Sequence, residues 1–291
     1  MPKSFPAAEL ERVLGARPVR QARVESGGYG RVSAHWRAEL ADGRRVFVKQ
    51  ALTEDAEEWV GRERRFYEAV TASFLPRYHG GGDTWIALED LTGAEWPPPW
   101  SDGRIAAVLD ALAAVHATPP PDWLPALESM RDDVVGWPRV AADPMPFLST
   151  QLCSAAWLDE ALPALLAASD ACDFSGTDLL HLDVRSDNLC FLDGRVLLVD
   201  WNHACVGNAL LDLVAWLPSL HLEGGPTPWE LVPNSRGFAA LMAGFFASRA
   251  GLPPPPTAPN VREFQRRQAE VALGWAAREL DLPAPERPAK S

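Results

Sequence analysis

The sequence predicts an α+β protein in two parts, a small antiparallel sheet with one helix followed by a larger, mainly helical part. Three observations carry that expectation. The chain has 291 residues, enough for two domains or lobes at roughly 150 residues each. Its opening third alternates short β-branched runs with Gly and Asp-Gly turns, the pattern of hairpins. Beyond the Pro-rich stretch Trp96–Trp100 the apolar residues recur at helical spacing instead.

The elements follow in order. Residues 19–24 and 31–36 read as two strands around the loop Glu25–Gly30, whose glycines permit a tight hairpin. A second hairpin turns at Asp42-Gly43 and leaves along Arg45-Val46-Phe47-Val48-Lys49-Gln50. Period two puts Phe47 and Lys49 on one face, and Val46 and Val48 on the other. Residues 54–72 form a helix with Trp59, Phe66 and Val70 as its apolar stripe. Residues 85–89 make a further strand, and the composition shifts at Leu91-Thr92-Gly93. The first part is therefore set at residues 1–91 and the second at 92–281. In the second, helices are expected at 102–117, 157–169, 236–250 and 261–280, with short apolar strands between Asp178 and Asp200. Residues 282–291 read as a Pro-rich tail that frays.

Composition narrows the function. Hydrophobic residues make up 47% of the chain and charged residues 23%, which is ordinary globular usage. The net charge of −12 argues against nucleic acid, whose phosphates demand basic patches. It favours a cationic small molecule. No apolar run is long enough to span a membrane and the N-terminus lacks a signal-peptide core, so a cytoplasmic protein without a membrane partner is expected. Cys153, Cys172, Cys190 and Cys205 lack metal-like spacing and read as buried thiols. The 12 tryptophans read as packing residues. Arginine outnumbers lysine 24 to 3, and Lys49 is the one lysine inside the expected fold. A compact ammonium there, in a chain that otherwise uses Arg, calls for a specific partner.

The segment richest in chemistry is His181-Leu182-Asp183-Val184-Arg185-Ser186-Asp187-Asn188, followed by Val196-Leu197-Leu198-Val199-Asp200-Trp201. It reads H-x-D-x-x-x-x-N, then a hairpin, then an acid at the end of an apolar strand. Phosphoryl transfer uses such parts: a carboxylate facing the acceptor hydroxyl, and an Asn with a second Asp to hold Mg²⁺ on nucleotide phosphates. A metallohydrolase using His181, Asp183, Asp200 and His203 is the rival reading, but it leaves Lys49 and the Gly-rich loop unexplained.

Over about residues 19–280 the chain resembles the aminoglycoside phosphotransferase family of small-molecule kinases, with a bilobal, protein-kinase-like fold. That resemblance implies Asp183 as catalytic base and Asn188 and Asp200 as Mg²⁺ ligands. His181 and Asp212, the latter in Gly207-Asn208-Ala209-Leu210-Leu211-Asp212, would support the catalytic loop. Lys49 would meet the α/β-phosphates of ATP or GTP, held by Glu63, with Glu57, Glu58 and Glu68 as rivals. Ser26, Gly27, Gly28 and Gly30 would cover the phosphates, and the backbone at Glu89 and Leu91 would bind the adenine edge. The chain departs from the family at Leu182, where Gly is usual, and at Asn202, where an acid is frequent. Only eleven residues separate Asp200 from Asp212, too few for a peptide-docking activation loop. The expected reaction is phosphorylation of a small hydroxylated compound by a monomer or dimer. Aminoglycosides or other antibiotics, and hence resistance, are the first reading; choline or amino-sugar kinases and a non-catalytic nucleotide-binding module are alternatives. Thirteen acids against four bases between Asp143 and Gly251 suggest a cationic acceptor, with Asp187, Glu223 and Glu230 as its candidate contacts.

Overall fold

The alternating residues of the opening hairpins form a five-stranded antiparallel sheet in the computed structural model, which describes residues 4–24 and 32–287. Its strands are β1 (Pro18–Val24), β2 (Ser33–Leu40), β3 (Arg45–Ala51), β4 (Tyr78–Gly82) and β5 (Trp85–Glu89), in the order β1-β2-β3-β5-β4. One face carries Ala38, Leu40, Val46, Val48, Trp85 and Ala87, which pack with Leu10 and Leu14 of helix α1 (Ala7–Leu14). Removing these side chains from water is what holds α1 on the sheet. Helix α1 is absent from the sequence reading, although Gly15 ends it in a left-handed conformation. Phe47 and Lys49 occupy the opposite face, as period two requires.

Helix α2 (Glu54–Ala69) starts at Thr53, whose hydroxyl accepts the Ala56 N–H. The expected stripe holds at Phe66 and Val70, both buried, and needs correction at Trp59. Trp59 is 41% exposed, whereas Ala56, Val60, Glu63, Phe66 and Tyr67 form the buried face. A polar residue on that face turns the helix, because Glu63 has a partner there. Strands β7 (Leu189–Leu192) and β8 (Arg195–Leu198) form a hairpin through Asp193 and Gly194, both at positive φ. This hairpin belongs with the sheet: one compact unit comprises Met1–Pro97 and Ser186–Ala204, the other Pro98–Arg185 and Cys205–Ser291.

The second unit is mainly helical. It contains α3 (Asp102–His116), the short α4 (Arg131–Val134), α5 (Trp137–Ala142) and α6 (Met145–Leu148), and α7 (Ala155–Asp170). After the two-stranded pairing of β6 (Asp178–Leu180) with β9 (Cys205–Gly207) come α8 (Leu210–Leu222), α9 (Pro228–Leu231), α10 (Arg236–Ala250) and α11 (Val261–Glu279). Helix α10 buries nine of its residues, mostly Ala, which lets neighbours approach closely. At Gly136 a Cβ would sit 1.8 Å from the Gly244 carbonyl oxygen, so only glycine fits that crossing. Trp85, Trp137, Trp201, Trp216 and Trp275 are among the largest fully buried side chains, and all four cysteines are buried thiols. The described part of the expected frayed tail is tied down: Trp157 donates to the Pro283 carbonyl at 2.9 Å and Ser154 to that of Glu286 at 2.6 Å. No helix of the described residues is long and apolar enough to cross a membrane.

Candidate functional site

Strand β3 presents Lys49 to α2, fourteen residues before its partner Glu63. The Lys49 ammonium donates to Glu63 Oε2 at 2.8 Å and to Asp200 Oδ1. Glu63 is 1% exposed, whereas its rival Glu68 accepts instead from Arg64 and the Tyr78 hydroxyl. Burial by itself would drive the ammonium to lose its proton, but the carboxylates of Asp200 and Glu63 outweigh it and push the Lys49 pKa up. Two carboxylates then share one cation, Glu63 from the buried side and Asp200 from a partly exposed one. Burial, with Asp200 as a second negative charge, accordingly raises the Glu63 pKa against the pull of Lys49. Directly across the β2–β3 ladder from Lys49 lies His35. Its pKa is pushed down to about 4 by burial first and by the Lys49 charge second.

Asp200 follows β8 in a left-handed conformation, φ 69° and ψ 56°. The residues beside it are fixed on both sides. Val199 donates its N–H to the Asn188 carbonyl at 2.9 Å, which couples the two expected Mg²⁺ ligands through the backbone. The Trp201 indole donates to the Leu198 carbonyl and stacks on Phe66, ring centroids 4.3 Å apart. Asn188 is buried. An amide oxygen and a carboxylate are hard oxygen donors of the kind Mg²⁺ takes in small number while it also binds phosphates, so the residues present suit that ion.

In the second unit, β6 leads into His181, Leu182 and Asp183. The fully buried Asp212 on α8 accepts the N–H groups of His181 at 3.0 Å and Leu182 at 2.6 Å. His181, also buried, accepts the Asp183 N–H on Nδ1 at 3.2 Å. Leu182 has φ 60°, a left-handed position that suits glycine, the residue usual there in the resembling family. Asp212 also meets His116 Nε2 at 3.1 Å, and beside a carboxylate that nitrogen is the donor. Sequence reasoning missed His116; its place in the last turn of α3, four residues after the buried Leu112, was the available signal. Asp183 lies 3.3 Å from Arg185 Nε.

The remaining expected residues divide. Ser26, Gly27, Gly28 and Gly30 lie outside the described residues. Glu89 accepts from the Arg77 N–H at 3.0 Å and from Arg195 at 2.8 Å. Burial opposes its ionisation, but these two donors hold the carboxyl below the usual range. The Glu89 N–H itself donates to the Arg77 carbonyl, and the Leu91 carbonyl accepts from Ala94. Asp187 is exposed and belongs to the unit containing the sheet, whereas Glu223 and Glu230 belong to the helical unit. Glu230 closes a capping box with Thr227 at the start of α9, and Glu223 accepts from the Trp100 indole at 2.9 Å. Among the described residues no three His, Cys, Asp or Glu side chains converge as a metal cage.

The sequence profile of the phosphotransferase enzyme family matches residues 30–232 of the chain. No curated protein sequence matches it. Among solved structures, one similar chain is a thermostable mutant of aminoglycoside phosphotransferase APH(4)-Ia in a ternary complex with AMP-PNP and hygromycin B. It is 16% identical with a TM-score of 0.59, over 94% of this chain and 97% of that one. Another is the macrolide 2'-phosphotransferase MphH from Brachybacterium faecium, 18% identical with a TM-score of 0.57, over 96% and 97% of the two chains. At such identity the likeness establishes the fold, which is α+β and protein-kinase-like.

Proposed function

The chain belongs to the phosphotransferase enzyme family and is a small-molecule kinase; from that premise we propose that it moves the γ-phosphoryl group of ATP, or GTP, to a hydroxyl of a cationic aminoglycoside or amino-sugar-type compound. The observation that carries this reading is Lys49, held as a cation between Glu63 and Asp200. A fixed ammonium of this kind meets nucleotide phosphates without having to be ordered at the moment of reaction.

The roles follow from the chemistry. Asp183 accepts the proton of the acceptor hydroxyl as that oxygen bonds to the γ-phosphorus and the bond to the β,γ-bridging oxygen breaks. Asp212 and His181 hold the backbone that carries Asp183. Asn188 and Asp200 hold Mg²⁺, which supplies charge neutralisation on the phosphates when bound. The backbone at Glu89 and Leu91 meets the base, and the loop containing Ser26, Gly27, Gly28 and Gly30 covers the phosphates. Support for a cationic acceptor is the charge of residues 143–251, 13 acids minus 4 bases, with Asp187, Glu223 and Glu230 as its contacts. Glu230 is the weakest of the three, since its carboxylate already caps α9.

The test is a screen of hydroxylated compounds with ATP and GTP, followed by Asp183→Asn. Transfer should fall by about 10²–10⁴-fold while nucleotide affinity stays within about twofold, because the base acts on the transition state alone. Nucleotide binding with no turnover on any compound would favour the non-catalytic alternative. Charge attraction is screened within about 10 Å at 0.1 M salt, so the acceptor KM should rise with ionic strength. A salt-independent KM would remove the cationic acceptor and leave the kinase assignment standing.

A further inference from the structure

Two residues past Asp200 the chain places Asn202, where the resembling family frequently has an acid. With its amide nitrogen turned toward Asp200, Asn202 Nδ2 donates to the Asp200 carbonyl oxygen at 3.0 Å and to Oδ1 at 3.3 Å. Lys49 donates to the same Oδ1 from the sheet side. We propose that Asn202 is a positioning residue for the divalent-cation site: it locks the backbone turn and the carboxylate plane of Asp200, and so sets the affinity for the cation of the nucleotide complex. This rests on the reading of Asp200 as a metal ligand.

Three features carry the argument. Asp200 is a non-glycine residue in the left-handed region, and the bond to its own carbonyl closes that turn over the short 201–203 helical turn. The turn cannot relax at its middle residue, because Trp201 is stacked on Phe66, tilted against Phe74 and hydrogen-bonded to Leu198. Two donors on one carboxylate oxygen then define the side chain's rotation. An acid at position 202 could make neither bond, since a carboxylate only accepts, and it would set a second negative charge beside Asp200. Asn202 brings orientation without that charge. The cation site of this chain therefore depends on a well-aimed Asp200 more than on accumulated negative charge, and partners that aim a ligating carboxylate are worth about 10–100-fold in metal affinity.

The experiment titrates Mn²⁺ into the full-length protein saturated with AMP-PNP and reads free Mn²⁺ by electron paramagnetic resonance. It compares the wild type, Asn202→Leu, Asn202→Ala and Asp200→Ala. Asn202→Leu keeps the side-chain shape and loses the donor; it should weaken Mn²⁺ about 10–100-fold. Metal-free nucleotide affinity and melting temperature should stay near wild type, which a merely structural role would not allow. Asn202 is only partly buried, and Asn202→Ala supplies the same comparison if the leucine variant folds poorly. Mn²⁺ affinity within twofold of wild type in the Asn202 variants, with Asp200→Ala defective, overturns this inference alone. Wild-type affinity in Asp200→Ala overturns the metal-ligand reading beneath it.

Discussion

Asp212→Asn tests the support of the catalytic loop most directly. The carboxylate accepts three hydrogen bonds while fully buried: His181 N–H at 3.0 Å, Leu182 N–H at 2.6 Å and His116 Nε2–H at 3.1 Å. Hydrogen bonds to a charged group contribute about 1.5–3 kcal/mol each. An asparagine keeps the shape but turns an NH₂ toward one set of donors, so one or two bonds are lost and their donors are left without an acceptor. The expected cost is about 3–5 kcal/mol, a large part of a total stability of about 5–15 kcal/mol. In a unit of this size that lowers the melting temperature by about 6–20 °C. The freed Leu182 peptide also loosens Asp183, so kcat should drop more than tenfold. Thermal unfolding by circular dichroism, with steady-state kinetics once a substrate is found, reads both effects. Adding His116→Phe to Asp212→Asn should cost less than His116→Phe does in the wild type, because the two share one network. A melting temperature within about 2 °C of wild type and unchanged kcat would refute the reasoning.

Three further outcomes follow from the same geometry. Leu182→Val should destabilise by about 1–2 kcal/mol, since a β-branched residue tolerates the left-handed φ of 60° poorly, while Leu182→Gly should stay within about 1 kcal/mol of wild type; equal losses in urea unfolding would show that φ is not the cause. Lys49→Met should cost about 3–5 kcal/mol by leaving the buried Glu63 without its cation, and Lys49→Met with Glu63→Leu should recover part of that in a thermal melt; no recovery would mean that the pair is not the source. His35 has a folded pKa of about 4 against 6.5 for the free group, so the unfolded chain binds the extra proton and stability falls as pH drops from 6.5 toward 4, by about 3 kcal/mol at most. His35→Gln should flatten that part of the stability–pH curve, and an unchanged slope would place the titration elsewhere.

The sequence by itself determined the features whose causes are local. Asp42-Gly43 and Asp193-Gly194 specify hairpins because few residues accept positive φ, and the alternation Val46-Phe47-Val48-Lys49 separates the two sheet faces with no help from the rest of the chain. The spacing from His181 to Asn188 and on to Asp200 is likewise a pattern of residue types read directly from the string. Tertiary structure decided everything that depends on a distant partner. Helix α2 turns inward a face that contains Glu63 as well as Phe66, and Glu63 meets Lys49, fourteen residues earlier in the chain, on that face; Trp59 lies outside it. His116 reads as an ordinary helix end until Asp212, 96 residues later, lies beside it. Helix α1 exists because Val46, Val48 and Trp85 leave an apolar sheet face to cover. Glu230, which charge alone marked as a contact for substrate, is occupied by its own helix start. Backbone preferences act over a few residues and can be read from a string; burial and ion pairing act across space, and only the folded chain shows which groups they join.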